Sequence, residues 1–267
     1  MINLEKIEIL KKPYPIIIVE DFFEEKFFEN IIGEFPSFDE FIKFKKTMVN
    51  RRFLSNDNPD FYNYIDKKKS WFQLYNKINN YDFYKKILDL LLDNKKYEDQ
   101  IYKLIFYDTF YKNNKVKFNL AYYLREITQI IPRIKIFNHL RNFTKNLFYK
   151  DHGNNNGVYL RFDISSASNG YFRTPHTDSD GTIFAFLVYL EDQTNIGGSG
   201  GDFIINDEKL NIIKSIKPKK NKAIFFLSNK NSYHSVSKIC NANGWRKFIY
   251  AGFTCTNKKI WSKINEL

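Results

Sequence analysis

Cysteine is nearly absent from this chain of 267 residues, with only Cys240 and Cys255, and histidine is scarce, at four. Two cysteines build no disulfide framework, which excludes the small stapled secreted folds and leads us to expect a reducing, cytoplasmic setting. Long apolar runs are missing too. The longest, residues 183–190, falls far short of the roughly 20 residues that a bilayer-spanning helix needs, so a membrane is not an expected partner. The opening Met1-Ile2-Asn3-Leu4-Glu5-Lys6 mixes acid and base and lacks the uninterrupted apolar stretch of a signal peptide. No Pro/Gly/Ser linker or internal repeat divides the chain, which is long enough for one full core, so a single domain over 1–267 is expected.

What the chain has in abundance is Lys, Asn, Ile, Phe and Tyr, and a net charge of +12. Such a balance attracts anionic partners at long range. The lysines are spread out, however, and are not interleaved with Arg and aromatics as in a nucleic-acid groove, so nucleic acid is not expected. The densest late cluster, Lys217, Lys219, Lys220 and Lys222, flanks Pro218 and reads as a solvated turn before a strand.

The first half reads as mainly helical and the second as sheet. An early strand is expected in Pro13-Tyr14-Pro15-Ile16-Ile17-Ile18-Val19. Asp21 precedes Glu24 by three residues in the manner of a capping box. Phe23, Phe27, Phe28, Ile31 and Ile32 then recur at helical spacing up to Gly33, a plausible stop. Ser70 and Asp82 are further N-cap candidates. Phe83, Ile87, Leu88 and Leu91 share one helical face, and the helical pattern extends over 97–148 with a break near Pro132. From Val158 onward, short β-branched or aromatic runs (159–164, 182–190, 202–205, 223–227 and 247–254) alternate with Gly/Asn/Asp/Ser clusters. That rhythm implies a sandwich or jelly roll. The expected fold is therefore α+β: a helical support region over 1–157 with an early strand, buttressing a jelly-roll core over 158–256.

Chemistry concentrates in the second half. His176 and Asp178 are separated by one residue, so on an extended segment their side chains project from one face. His234 comes from another strand-rich stretch. Two neutral imidazoles and a carboxylate form the facial set that suits non-haem Fe(II) and leaves coordination positions open. His139, in a basic helical stretch, and His152, in an Asn/Gly loop, are read as ordinary polar residues. Arg246 follows His234 on its own strand, with Phe248, Tyr250 and Gly252 on its face if it points inward. A buried guanidinium requires a partner, and its fork matches a carboxylate. Tyr189 offers a hydroxyl for the same carboxylate, or serves as a sheet aromatic. Gly197-Gly198-Ser199-Gly200-Gly201 lacks the lysine and following helix of a phosphate loop, and reads as a tight turn near the mouth of the site.

His176-x-Asp178, His234 and Arg246 together resemble the Fe(II)/2-oxoglutarate-dependent dioxygenases, specifically their prolyl 4-hydroxylase-like branch. The likeness is clearest over 159–253, including Gly170-Tyr171-Phe172-Arg173 and Gly200-Gly201-Asp202-Phe203, and in the early Pro13-to-Phe23 segment. It implies a double-stranded β-helix (jelly-roll) core with N-terminal buttressing helices. It further implies Fe(2+) on His176, Asp178 and His234, and 2-oxoglutarate held through its distal carboxylate by Arg246 with Tyr189 assisting. O2 would be the oxidant, succinate and CO2 the co-products. Many members of the branch have Lys where this chain has Arg246. The carboxylate ligand Asp178 favours hydroxylation over halogenation. The implied substrate is a peptidyl proline, an amino acid or a small metabolite, in keeping with the charge an anionic one.

Three rival readings compete with this one. Nucleic-acid demethylases of the same superfamily resemble one another in a second arginine six residues past the first, and here that position is Gly252. A cupin-like metabolite- or sugar-binding module without turnover need not retain a co-substrate anchor such as Arg246. A basic structural protein would make the triad accidental.

Overall fold

The computed structural model describes residues 1–43, 50–92, 104–110, 156–179, 181–193, 196–257 and 261. Its strands are β1 (Ile7–Leu10), β2 (Ile16–Val19), β3 (Ile42–Lys43), β4 (Arg51–Ser55), β5 (Ile105–Phe106), β6 (Gly157–Ala167), β7 (Arg173–His176), β8 (Thr182–Tyr189), β9 (Phe203–Asn206), β10 (Ile212–Ile216), β11 (Lys222–Leu227), β12 (His234–Val236) and β13 (Arg246–Cys255). The helices are α1 (Glu25–Gly33), α2 (Pro59–Ile65), α3 (Lys69–Ile78) and α4 (Tyr81–Leu91). The class is α+β, as expected.

Among the described residues the strands form two sheets. The larger runs β1-β2-β11-β8-β13-β6-β4-β3, with β5 alongside β6, and the smaller runs β10-β9-β12-β7. The pleat sorts side chains into two cores. On β8, Phe184, Phe186 and Val188 join the helices' Trp71, Leu74, Phe83 and Ile87, while Ala185, Leu187 and Tyr189 join Phe203, Ile205 and Ile216 of the smaller sheet. β11 divides the same way, Phe225 toward the helices and Ile224 and Phe226 toward the smaller sheet. A strand covered on both faces must be apolar at every position. That is why 183–190 is an unbroken apolar run, and why every residue of β8 is buried.

Several local expectations change. Asp21 does not cap α1. It sits at φ 52° with its carboxylate on Lys6 Nζ at 2.6 Å, and the cap position is Glu24, without a side-chain cap. The cap of α4 is Asn80, whose Oδ1 accepts from the Asp82 amide, and α3 begins after Lys68 while the Ser70 amide donates to Glu34. Of these three helices only α4 has a side-chain cap, whereas Glu24 and Lys68 head α1 and α3 without one. Gly33 does end α1. The N-terminal region also supplies more sheet than its single expected strand: β1, β3, β4 and β5 all join the larger sheet. β5 interrupts the helical reading of 97–148, whose remainder lies outside the described residues apart from 104–110, as do His139 and His152. The lysine cluster forms a turn, with Lys219 and Lys222 both paired to Glu20. Cys240 and Cys255 are free thiols. Among the described residues no helix is long and apolar enough to cross a membrane.

Candidate active site

His176 closes β7 and His234 opens β12, and the two residues are register partners across that ladder. Antiparallel pairing of neighbouring strands thereby brings together two histidines far apart in sequence. Asp178 lies two residues past the end of β7 rather than on it. The ligand atoms of His176, Asp178 and His234 all fall within 4.8 Å of one another, and His234 Nε2 stands 3.9 Å from Asp178 Oδ1. Ligands about 2.1 Å from one ion sit roughly 3 Å apart, so small side-chain movements close the set on a metal.

The ring nitrogens are already assigned by their surroundings. His176 Nδ1 meets the Thr174 carbonyl at 2.8 Å, and His234 Nδ1 meets the Ser232 carbonyl at 3.0 Å. A carbonyl only accepts, so each Nδ1 carries the proton and each Nε2 offers its lone pair to the centre. Burial, reinforced by the neighbouring His234, pushes His176 down to about 4, so that it is neutral and able to ligate near pH 7. Phe203 and Phe226 flank the His234 ring, at centroid distances of 5.5 and 4.6 Å, and fix its plane. Tyr250 Oη lies 3.4 and 3.5 Å from the two Asp178 oxygens, close enough to steer the carboxylate. The donor set, its protonation and its second sphere therefore all fit a divalent first-row metal.

Arg246 opens β13 and is buried, at 2 % exposure. Its Nη1 donates to Gly201 O at 2.9 Å and to Gln193 Oε1 at 3.1 Å, and its guanidinium lies over the rings of Tyr189 and Phe248. Among the described residues its hydrogen-bond acceptors are thus neutral, and its buried Nε has none. Burial lowers its pKa, opposed by Tyr189, Tyr171 and Asp202. Phe248 and Tyr250 share its face of the strand, and Tyr250 reaches Asp178, so the guanidinium and the triad open on the same space between the sheets. Arg246 and Tyr250 are separated by about 13 Å of strand at the usual rise. Tyr189 is placed as an aromatic platform under the guanidinium, and burial raises its hydroxyl to about 12.

Sequence reasoning missed several residues here. Gly201 sits at φ 73°, and a Cβ there would lie 2.1 Å from Arg246 Nη1, so the glycine turn shapes the seat of the guanidinium. Gln193 carries no motif. On β6 the face opposite Leu160, Phe162 and Ile164 carries Arg161, Asp163 and Ser165. Arg51 and Arg161 both bind the fully buried Asp163 carboxylate, at 3.2 and 3.1 Å. Burial would raise Asp163, but the two guanidiniums outweigh it and hold its pKa low. The polar alternation of β6 was the available signal. Arg173 belongs to the site as well, with its Nη2 3.1 Å from His176 Nε2.

Residues 162–255, which span the whole triad and Arg246, match the sequence profile described as the 2OG-Fe(II) oxygenase superfamily. The resemblance expected from the sequence is thus found independently, and that family implies Fe(2+), 2-oxoglutarate and O2. A structure of a prolyl 4-hydroxylase from Phytophthora capsici is similar over 90% of this chain and 58% of its own, at 12% identity and a TM-score of 0.52, a likeness of fold. A Pseudomonas putida prolyl-4-hydroxylase aligns over 91% of this chain and 93% of its own, at 13% identity and a TM-score of 0.47. A 2OG-Fe(II) oxygenase family oxidoreductase from Burkholderia pseudomallei aligns over 45% of this chain, at 16% identity and a TM-score of 0.29, and the chain spans 55% of its length. No curated protein matches in sequence.

Proposed function

We propose that the protein is an Fe(II)- and 2-oxoglutarate-dependent dioxygenase that hydroxylates an amino-acid, peptidyl or small-metabolite substrate and releases succinate and CO2. The observation that carries this reading is the buried Arg246 guanidinium, bonded to neutral acceptors and facing the same inter-sheet space as the two-histidine, one-carboxylate cluster. A buried cation of this kind calls for an anion, because leaving it without one costs several kcal/mol. The distal carboxylate of 2-oxoglutarate supplies one, and Tyr189 supports the guanidinium from below.

In this reading residues 1–267 act as one oxygenase domain. The smaller sheet and the facing strands of the larger one form a double-stranded β-helix over 158–256, and helices α1 to α4 brace its outer face. His176, Asp178 and His234 hold the iron, which would supply the oxidising chemistry when bound with 2-oxoglutarate and O2. The protein's own residues do the rest. The backbone carbonyls of Thr174 and Ser232 keep both imidazoles in the ligating tautomer, Tyr250 orients Asp178, and Phe203, Phe226 and Phe248 keep water from the inner wall. A reducing cytoplasm suits a ferrous site.

Anaerobic titration of 2-oxoglutarate into the Fe(II) protein tests this. A visible charge-transfer band should develop to saturation, and admission of O2 should then convert 2-oxoglutarate to succinate. A cupin-like binding module would take up metal yet give neither band nor succinate, and that result would replace the proposal.

A further inference from the structure

Arg173 is aimed into the metal centre by a deliberate irregularity. Along β12, two positions separate His234 from Val236, whereas their register partners on β7, His176 and Arg173, are three apart. In a regular strand residues three apart point to opposite faces. The extra residue makes a β-bulge, a device that re-aims side chains. Its effect here is that Arg173 and His176 meet, Nη2 to Nε2, at 3.1 Å. Arg173 is half-buried, and among the described residues it has no carboxylate partner.

That contact cannot survive metal loading. The His176 Nε2 lone pair is the one the metal takes, so Arg173 loses its acceptor and finds itself beside a divalent cation. Arg246, which would hold the distal end of 2-oxoglutarate, lies on β13 in the other sheet. Arg51 and Arg161 already share the buried Asp163, and Arg161 also feels Asp57. Arg173 is therefore the guanidinium in this site left to recruit an anion from outside.

We propose that Arg173 recognises an oxyanion, a carboxylate or a phosphate, on the substrate itself, and that the substrate is a small free acid rather than an internal peptide residue. The proposal rests on the dioxygenase reading above. The size argument follows from reach. A charge-assisted hydrogen bond spans about 2.8 Å and a metal–nitrogen bond about 2.1 Å. With Arg173 this close to a ligand nitrogen, the anion it binds lies within a few bonds of the C–H presented to the metal. An internal proline or other neutral peptide residue presents only uncharged amides at that distance, whereas a free amino acid or a short organic acid presents its own charge.

The test uses the anaerobic Fe(II)·2-oxoglutarate protein, with proline, leucine and aspartate as probes, each against its primary amide, and with phosphoserine against serine to separate phosphate from carboxylate. The readout is displacement of the charge-transfer band as each probe fills the site. In the parent at least one acid should half-saturate at about tenfold or more lower concentration than its neutral counterpart, the loss expected for one charge-assisted bond. Arg173→Gln should abolish that preference and Arg173→Lys should restore part of it, while affinity for 2-oxoglutarate stays at the parental value in both. Equal response to acids and neutral counterparts in the parent, or a preference that persists in Arg173→Gln, would overturn the proposal. So would a matching loss of 2-oxoglutarate affinity, which would assign Arg173 to the co-substrate. A parent that shows no band at all would instead remove the dioxygenase reading on which the proposal stands.

Discussion

On the proposed reading, in which Arg246 holds 2-oxoglutarate, Gly201→Ala should weaken co-substrate binding while leaving the metal site alone. Two effects coincide at this position. The backbone is left-handed, at φ 73°, which an alanine adopts at a cost of roughly 1 kcal/mol. The new Cβ would also stand 2.1 Å from Arg246 Nη1, 2.9 Å from Cζ and 3.0 Å from Ile239. Real carbon atoms do not approach so closely, so the guanidinium must leave its seat. It then forfeits the bonds to Gly201 O and Gln193 Oε1, at 2.9 and 3.1 Å, that orient it. A misplaced fork loses a contact to the 2-oxoglutarate carboxylate of about 1.5–3 kcal/mol, or roughly ten- to hundredfold in affinity. Fe(II) affinity should remain within about threefold of the parent, since no triad residue lies among the atoms the new Cβ meets. The assay is the anaerobic absorption titration, with Fe(II) binding measured separately. Gly33→Ala, where a Cβ meets nothing within 4 Å, serves as the control and should bind 2-oxoglutarate as the parent does. A Gly201→Ala protein that binds 2-oxoglutarate within about threefold of the parent would refute the argument that this turn seats the anchor.

Three further outcomes are expected. Arg246→Ala should weaken 2-oxoglutarate about ten- to hundredfold with iron binding nearly intact, and Arg246→Lys should fall between, because an ammonium keeps the charge but not the fork; parental affinity in Arg246→Ala would leave Arg246 a structural cation. Asp178→Ala should instead weaken Fe(II) binding by about 100-fold or more, read by metal titration, since it removes a direct ligand where even second-sphere losses cost 10–100-fold. For the metal-free protein, His176 is depressed to about 4 in the fold and returns to its ordinary value, near 6.5, on unfolding. Between those values the unfolded chain binds the proton that the folded chain refuses, so stability should decline as pH falls from about 6.5 toward 4, and denaturant midpoints that stay level across that window would count against the assignment.

The triad was legible in the sequence because so little competes with it. With four histidines in the chain, one in a His-x-Asp pair and one in a separate strand-rich stretch, residue type and spacing carried the chemistry. The run at 182–190 was likewise readable as a strand, while its burial on both faces emerged only with the two cores. Helix α4 was readable from the spacing of Phe83, Ile87, Leu88 and Leu91, all of which are buried.

What tertiary structure decided are contacts between elements that local pattern does not encode. Asp21 was drawn off to Lys6 and the Ser70 amide was met by Glu34, partners that arrive from elsewhere in the chain, so α1 and α3 begin after Glu24 and Lys68. The N-terminal strand β4 found its place only against β6, with β3 on its outer side, and with it Arg51 reached Asp163. Gly201 and Gln193 became parts of the Arg246 seat through folding of 193–201 against β13, and the bulge that turns Arg173 toward His176 exists only in the pairing of β7 with β12. Side-chain type and period determine which chemistry the chain can perform and which segments are buried. Register, bulges and the approach of distant backbone determine where each donor points, and those depend on pairing across the whole sheet.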